Sequence, residues 1–185
     1  GLMIFDKETF SYEKNLRFSD NPRSNSVFEI APVNETALLL GTWNPLLLYD
    51  EKKGAVTQLQ PREWTKSDWT SCLFKDSRNN IWVSAAKLYR YNLQQKEYSL
   101  IPVNIPIPSV LSAIQEDMDG NIWMAGHGII RFNTALNRFD EKVDSFPYIK
   151  MPDKQIASMA IDNNNTIWAG CNNNGLIGYN IRTKT

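Results

Sequence analysis

The chain has 185 residues, 42% of them hydrophobic, with 20 basic and 20 acidic side chains. That is an ordinary globular composition, and zero net charge leaves no electrostatic footprint for nucleic acid or an anionic membrane surface. No apolar run approaches the roughly 18 residues a membrane-spanning helix needs, and no basic segment followed by an apolar run marks a signal peptide.

In chain order, Gly1 to Asp6 reads as a strand and Phe10 to Lys14 as the next, followed by a polar loop that carries Asn21-Pro22. Val27 to Leu59 holds further short apolar runs, with Leu38-Leu39-Leu40-Gly41 and Leu46 to Asp50 as strands and Gly54 to Leu59 as turn and outer strand. From there a pattern repeats. Asp76-Ser77-Arg78-Asn79-Asn80-Ile81-Trp82 is followed by Leu88 to Asn92. Asp117-Met118-Asp119-Gly120-Asn121-Ile122-Trp123 is followed by Ile129 to Asn133. Asp162-Asn163-Asn164-Asn165-Thr166-Ile167-Trp168 is followed by Gly175 to Asn180. Each aspartate stands six places before its tryptophan, and the tryptophans lie 41 and 45 residues apart.

Within each copy the Asp-containing segment is a tight turn. Aspartate bonds its own backbone, and glycine at position 120 supplies a positive φ. The Ile-Trp run after it suits a pleated, buried strand. Four short strands in a unit of about 40–45 residues are the signature of a β-propeller blade. No stretch shows a helical period, so the fold class is all-β: about four four-stranded blades of a larger propeller, with both ends mid-blade. The expected divisions are a remnant over 1–15 and blades over about 27–59, 69–101, 110–143 and 156–185. Proline-bearing crossovers join them, one with Pro102, Pro106 and Pro108 and one with Pro147 and Pro152. Proline suits such connections and would damage an interior strand. Open edges at both ends suggest a segment of a longer array that could pair edge to edge as a homodimer.

The motif Asp-x-x-Gly-Asn-Ile-Trp followed by Gly-Ile-Ile-Arg-Phe-Asn resembles the two-component regulator propeller repeat, best in the copy from Asp117 to Asn133. The copies at Asp76 and Asp162 carry Asn79 and Asn165 in the glycine position, and the first blade has Leu39 in the tryptophan slot. The resemblance implies the periplasmic sensor region of a bacterial hybrid histidine kinase, which recognises glycan fragments and signals across the inner membrane to a kinase. The parent would be the enzyme and this segment would not.

The repeated residues read as structural. Trp82, Trp123 and Trp168 should each seal one blade against the next, and Asp76, Asp117 and Asp162 should bond turn amides. The Asp117-x-Asp119-Gly120-Asn121 run does not fit a calcium loop, because its glycine falls at position four and position twelve is Gly128. Cys72 and Cys171 read as separate buried thiols rather than a disulfide, and the single histidine, His127, has no zinc-spaced partner. No cofactor, metal site or catalytic constellation is indicated; one histidine and no nucleophile elbow leave no acid–base or nucleophilic set.

The residues that do not repeat are the candidates for ligand binding. In a four-stranded blade, the loop between strands two and three shares an end with the crossover. That end collects Trp43 and Asn44; then Arg62, Glu63, Trp64, Lys66, Asp68 and Trp69; then Lys87, His127, and Asn172 to Asn174. Flat aromatic rings can cover an apolar sugar face, and amide, cationic and acidic groups can satisfy hydroxyls. The expected partner is therefore an oligosaccharide or other small ligand. Plainer readings stand beside this one. Trp64 and Trp69 would pack the crossover onto a blade, Asn172 to Asn174 would form a turn, and His127 would be a loop tip. Two other functions remain open: a structural or dimerisation segment with its ligand site elsewhere, and a propeller lyase or glycosidase.

Overall fold

The computed structural model describes residues 1–43, 46–59, 61, 63–65, 68–103, 110–140 and 155–184. Asn44, Arg62 and Lys66 lie outside these, as do most of the two proline-bearing crossovers. The described residues form short antiparallel sheets and one short 3-10 turn, Pro22–Asn25, with no α-helix among them. They fall into two compact units, Gly1–Ser71 and Cys72–Thr185.

The first unit holds two sheets. β1 (Leu2–Phe5) pairs with β2 (Tyr12–Leu16), and β2 runs further than its polar sequence suggests because Leu16 packs inward. β3 (Val27–Asn34), β4 (Ala37–Thr42), β5 (Leu46–Asp50) and β6 (Ala55–Gln58) form a four-stranded meander in sequence order. Leu2, Leu40, Leu47 and Tyr49 make the core between them. Leu39, in the slot where the other copies have tryptophan, is fully buried. An aliphatic side chain can hold a propeller register if its surroundings close over it.

The second unit holds three sheets. The first contains β7 (Cys72–Lys75), β8 (Asn80–Ser84), β9 (Leu88–Asn92) and β10 (Glu97–Leu100). The second contains β11 (Ala113–Glu116), β12 (Ile122–Gly126), β13 (Gly128–Asn133) and β14 (Arg138–Phe139), and the third β15 (Ile156–Ile161), β16 (Thr166–Cys171) and β17 (Gly175–Asn180). Every neighbouring pair is antiparallel. The first strands stand together, β11 between β7 and β15, as the inner strands of successive blades do.

Strand alternation explains why β12 is buried along its whole length. Side chains of a strand point to opposite faces in turn. Ile122 and Met124 join the core formed with the first sheet, whereas Trp123 and Ala125 join the core formed with the third. Both faces are covered, so the strand reads as a continuous apolar run rather than an alternating one. Cys72 and Cys171 are both buried free thiols.

Candidate functional site

Each Asp-to-Trp turn is built the same way. One carboxylate oxygen of Asp76 accepts from the amides of Arg78 and Asn80, at 2.9 and 2.8 Å. The other accepts from the indole Nε1 of Trp82 at 3.0 Å. Asp117 does the same with Asp119, Asn121 and Trp123, at 3.0, 2.8 and 2.7 Å. Asp162 repeats it with Asn164, Thr166 and Trp168, each at 2.9 Å. Those bonds hold the Asp162 carboxyl below the usual aspartate range, the indole N–H of Trp168 contributing most. The turn needs a left-handed residue. Gly120 supplies it at φ 77°, and Asn79 and Asn165 both adopt 61°. Asparagine tolerates that conformation better than most side chains, so the missing glycines leave the turn intact.

Trp82 and Trp123 are completely buried. Trp82 meets the edge of Phe132 in the next sheet at 5.0 Å and 65°. Trp123 lies in one core with Ile156, Ile167 and Tyr179. Trp168 departs from the expectation that all three tryptophans seal neighbouring blades: it is 41% exposed, because no sheet among the described residues lies over it.

The non-repeating residues gather at the opposite ends of the sheets. In the first unit the amide of Thr70 donates to the carbonyl of Thr42 at 3.2 Å, and both threonines are completely buried. This clamp ties the end of the connection after β6 to the end of β4. It places Trp69 beside Trp43, ring centroids 5.9 Å apart and only 14° from parallel. Phe28 from β3 closes the group, 6.0 Å from Trp43 and 5.6 Å from Trp69. Trp43 is 38% and Phe28 45% exposed, so the three rings form an aromatic surface rather than a core. On the same strand as Phe28, burial pushes the Glu29 carboxyl up. Phe28 and Glu29 were not legible as site residues, since an ordinary strand-opening pair carries no motif.

Trp64 is half-buried in a tight turn, its amide donating to the Pro61 carbonyl at 3.1 Å. The Asp68 carboxylate accepts from the Thr65 amide at 2.5 Å, which makes Asp68 a turn residue, and Glu63 is exposed.

In the second unit His127 is the single residue between β12 and β13, exposed at the tip and paired with Gln155 in an isolated bridge. Asn172 donates its side-chain amide to the Gln155 side chain at 3.0 Å and its backbone amide to the Gln155 carbonyl at 3.2 Å. Gln155 therefore joins His127 and Asn172, a juxtaposition invisible in sequence because 28 and 17 residues separate the partners. Asn173 and Asn174 are exposed in the turn after Cys171. Lys87 is exposed and lines a mostly apolar cleft of about 350 Å³ with Leu88, Leu100, Ile101 and Leu111. Among the described residues no cluster of His, Cys, Asp and Glu could hold a metal ion, and no helix is long and apolar enough to cross a membrane.

No protein-family model and no curated protein matches the sequence. Solved structures do match in three dimensions. The extracellular domain of BT3049 from B. thetaiotaomicron, described as a hybrid two-component system, superposes with a TM-score of 0.72 at 19% identity over 95% of this chain. That of BT4673 from the same organism, also described as a hybrid two-component system, gives 0.77 at 15% over 96%. This chain has the β-propeller fold of these ectodomains. The WD40 β-propeller domain of Doa1 matches at a TM-score of 0.67 and 13% identity, over 86% of this chain and 53% of that one. The chain spans only 23% and 24% of the BT3049 and BT4673 structures. The similarity lies in fold, in agreement with the resemblance carried by the Asp-to-Trp repeat.

Proposed function

We propose that the chain is part of the extracytoplasmic sensor region of a bacterial two-component receptor, lying in the periplasm, and that it recognises a carbohydrate without turning it over. The observation that carries the reading is the Phe28–Trp43–Trp69 group. Three aromatic rings held partly in water forgo much of the gain from burial, which for one such ring would cover about 150–250 Å². A scaffold that clamps them there through two buried threonines spends stability on keeping a surface. Stacked indoles offer a flat apolar platform, which the C–H face of a pyranose fits, and exposed Glu63 stands in the same connection to meet hydroxyls. Asn44, Arg62 and Lys66 belong to the same two connections by sequence.

The fold likeness to sensor ectodomains supports the sensing role, and loops on a rigid scaffold are where such recognition usually sits. Isothermal titration against a panel of neutral and acidic oligosaccharides tests it. Saturable binding weakened by Trp43→Ala and by Trp69→Ala is the expected result. Binding that both variants leave unchanged would move the site elsewhere, and release of shortened sugars would make the protein an enzyme.

A further inference from the structure

In the second unit, two of the repeat tryptophans face an arginine across the strand pair. Trp82 stands opposite Arg90 and Trp123 opposite Arg131. Each guanidinium lies over its ring, 5.8 Å and 5.5 Å from the centroid. In the third sheet Gly178 takes that position, where a Cβ would fall 2.9 Å from the Trp168 ring. The two arginines differ in what neutralises them. Arg131 donates through Nε to the carboxylate of Asp140, one step along the register that pairs Phe132 with Phe139. The Asp140 amide in turn donates to the Arg131 carbonyl at 3.1 Å. Arg90 has Ser99 at the matching place on β10. Among the described residues Arg90 pairs with no carboxylate, and its Nη1 donates to the neutral amide oxygen of Asn137 at 3.0 Å.

Arg90 is half-buried and borders a polar cleft of about 170 Å³, which Arg78, Gln95, Ser99 and Thr134 line with it. Arg78 is already paired: it donates to the Gly120 carbonyl and lies 3.5 Å from the Glu116 carboxylate. Asp76 also borders the cleft, but its oxygens are taken by the amides of Arg78 and Asn80 and by the indole of Trp82. The second sheet controls for that charge. Asp117 braces Trp123 in the same way, and Arg131 still has Asp140 beside it. What the first sheet lacks is the outer-strand carboxylate, and the cleft opens beside the serine that replaces it. A guanidinium drawn partly out of water without a counter-ion is costly.

We propose that this cleft binds a small free oxyanion, a carboxylate or a phosphate, on Arg90. The ion takes the part that Asp140 plays in the next sheet. With Nη1 on Asn137, Nε and Nη2 of Arg90 remain as a parallel pair of donors, the geometry that suits two oxygens of one anion. The Ser99 hydroxyl and the Gln95 side-chain amide add neutral donors from the same sheet. Thr134 and Asn137 belong to the second sheet's β13–β14 turn, so the bound ion lies between two sheets and links them. An ion held only by the folded chain stabilises it by mass action. A cleft of this volume holds one such group rather than an oligosaccharide, so the inference stands apart from the aromatic trio.

Proton–nitrogen NMR of the arginine Nε–H groups tests this, with the isotope-labelled chain titrated with sodium acetate and sodium phosphate against sodium chloride at equal ionic strength. The Arg90 signal, assigned by its loss in Arg90→Lys, should move saturably with acetate and phosphate and stay in place with chloride. The Arg131 signal should stay in place throughout, because Asp140 already occupies it. Ser99→Asp supplies the missing carboxylate from within and should weaken binding of both ions by about tenfold or more. Ser99 is exposed on the edge strand of its sheet, so this variant keeps the fold. Equal movement of Arg90 in chloride, or acetate binding that Ser99→Asp leaves unchanged, would overturn the proposal. Glucuronate bound about tenfold more tightly than acetate would also overturn it and give the site to an acidic sugar.

Discussion

The two ends of these sheets are built on opposite plans. At the turn ends, one aspartate, two amides and one indole recur three times with bond lengths that differ by no more than 0.3 Å. At the other ends nothing recurs: one connection holds an aromatic trio, the next a lysine beside an apolar cleft, the next a histidine and an asparagine joined through Gln155. The difference separates what carries the fold from what is free to vary. A repeated contact between sheets has to be satisfied at every blade, so its residues are constrained by packing. A connection whose contacts need not recur at every blade can take whatever side chains a ligand requires.

Substitutions at the turn ends should therefore cost stability, and those at the loop ends should cost binding. The largest effect is expected for Trp123→Ala, which empties a completely buried site and should lower unfolding free energy by about 3–5 kcal/mol in urea titration. Asp117→Ala should follow, at roughly 2–3 kcal/mol, because it removes a charged acceptor shared by two amides and the indole N–H of the buried Trp123. A loss well under 1 kcal/mol in either variant would mean that the brace is not what holds neighbouring sheets.

Trp43→Ala sharpens the comparison from the other side. It should raise the dissociation constant for a bound sugar by about tenfold or more, equivalent to some 1.4 kcal/mol. Its effect on the urea midpoint should be small, because the ring is already 38% exposed. The smallest effect is a pH dependence at Asp162. Its carboxyl is lowered in the fold, chiefly by the Trp168 N–H, so its contribution is present above the ordinary aspartate value of about 4 and is lost as pH falls through the lower folded value. The stability difference between the wild-type chain and Asp162→Asn should therefore shrink in that acid window and stay constant above it.

Most of the architecture was legible because it is periodic. The Asp-to-Trp spacing marked the turn and the strand after it, and the strands at Leu46–Asp50 and Gly175–Asn180 fall where the residues place them. Asn79 and Asn165 could be read as glycine substitutes because the backbone asks only for a left-handed residue there. The site was legible in part. Trp43 and Trp69 stood out as non-repeating aromatics, but their stacking depends on the Thr42–Thr70 bond, which joins residues 28 apart by tertiary packing. Phe28 and Gln155 carry no local signal, because their roles come only from what is folded beside them. Trp168 shows the converse limit: its motif matches that of Trp123, yet its exposure is set by Gly178 and by the absence of a covering sheet among the described residues.

The division between a structural end and a recognising end is tested most directly by fluorine NMR of the chain with its six tryptophans replaced by 5-fluorotryptophan, titrated with the oligosaccharide panel. A binding sugar should shift the Trp43 and Trp69 resonances and leave those of Trp82 and Trp123 in place. Shifts confined to Trp82 and Trp123, or saturable binding that moves neither Trp43 nor Trp69, would contradict the account.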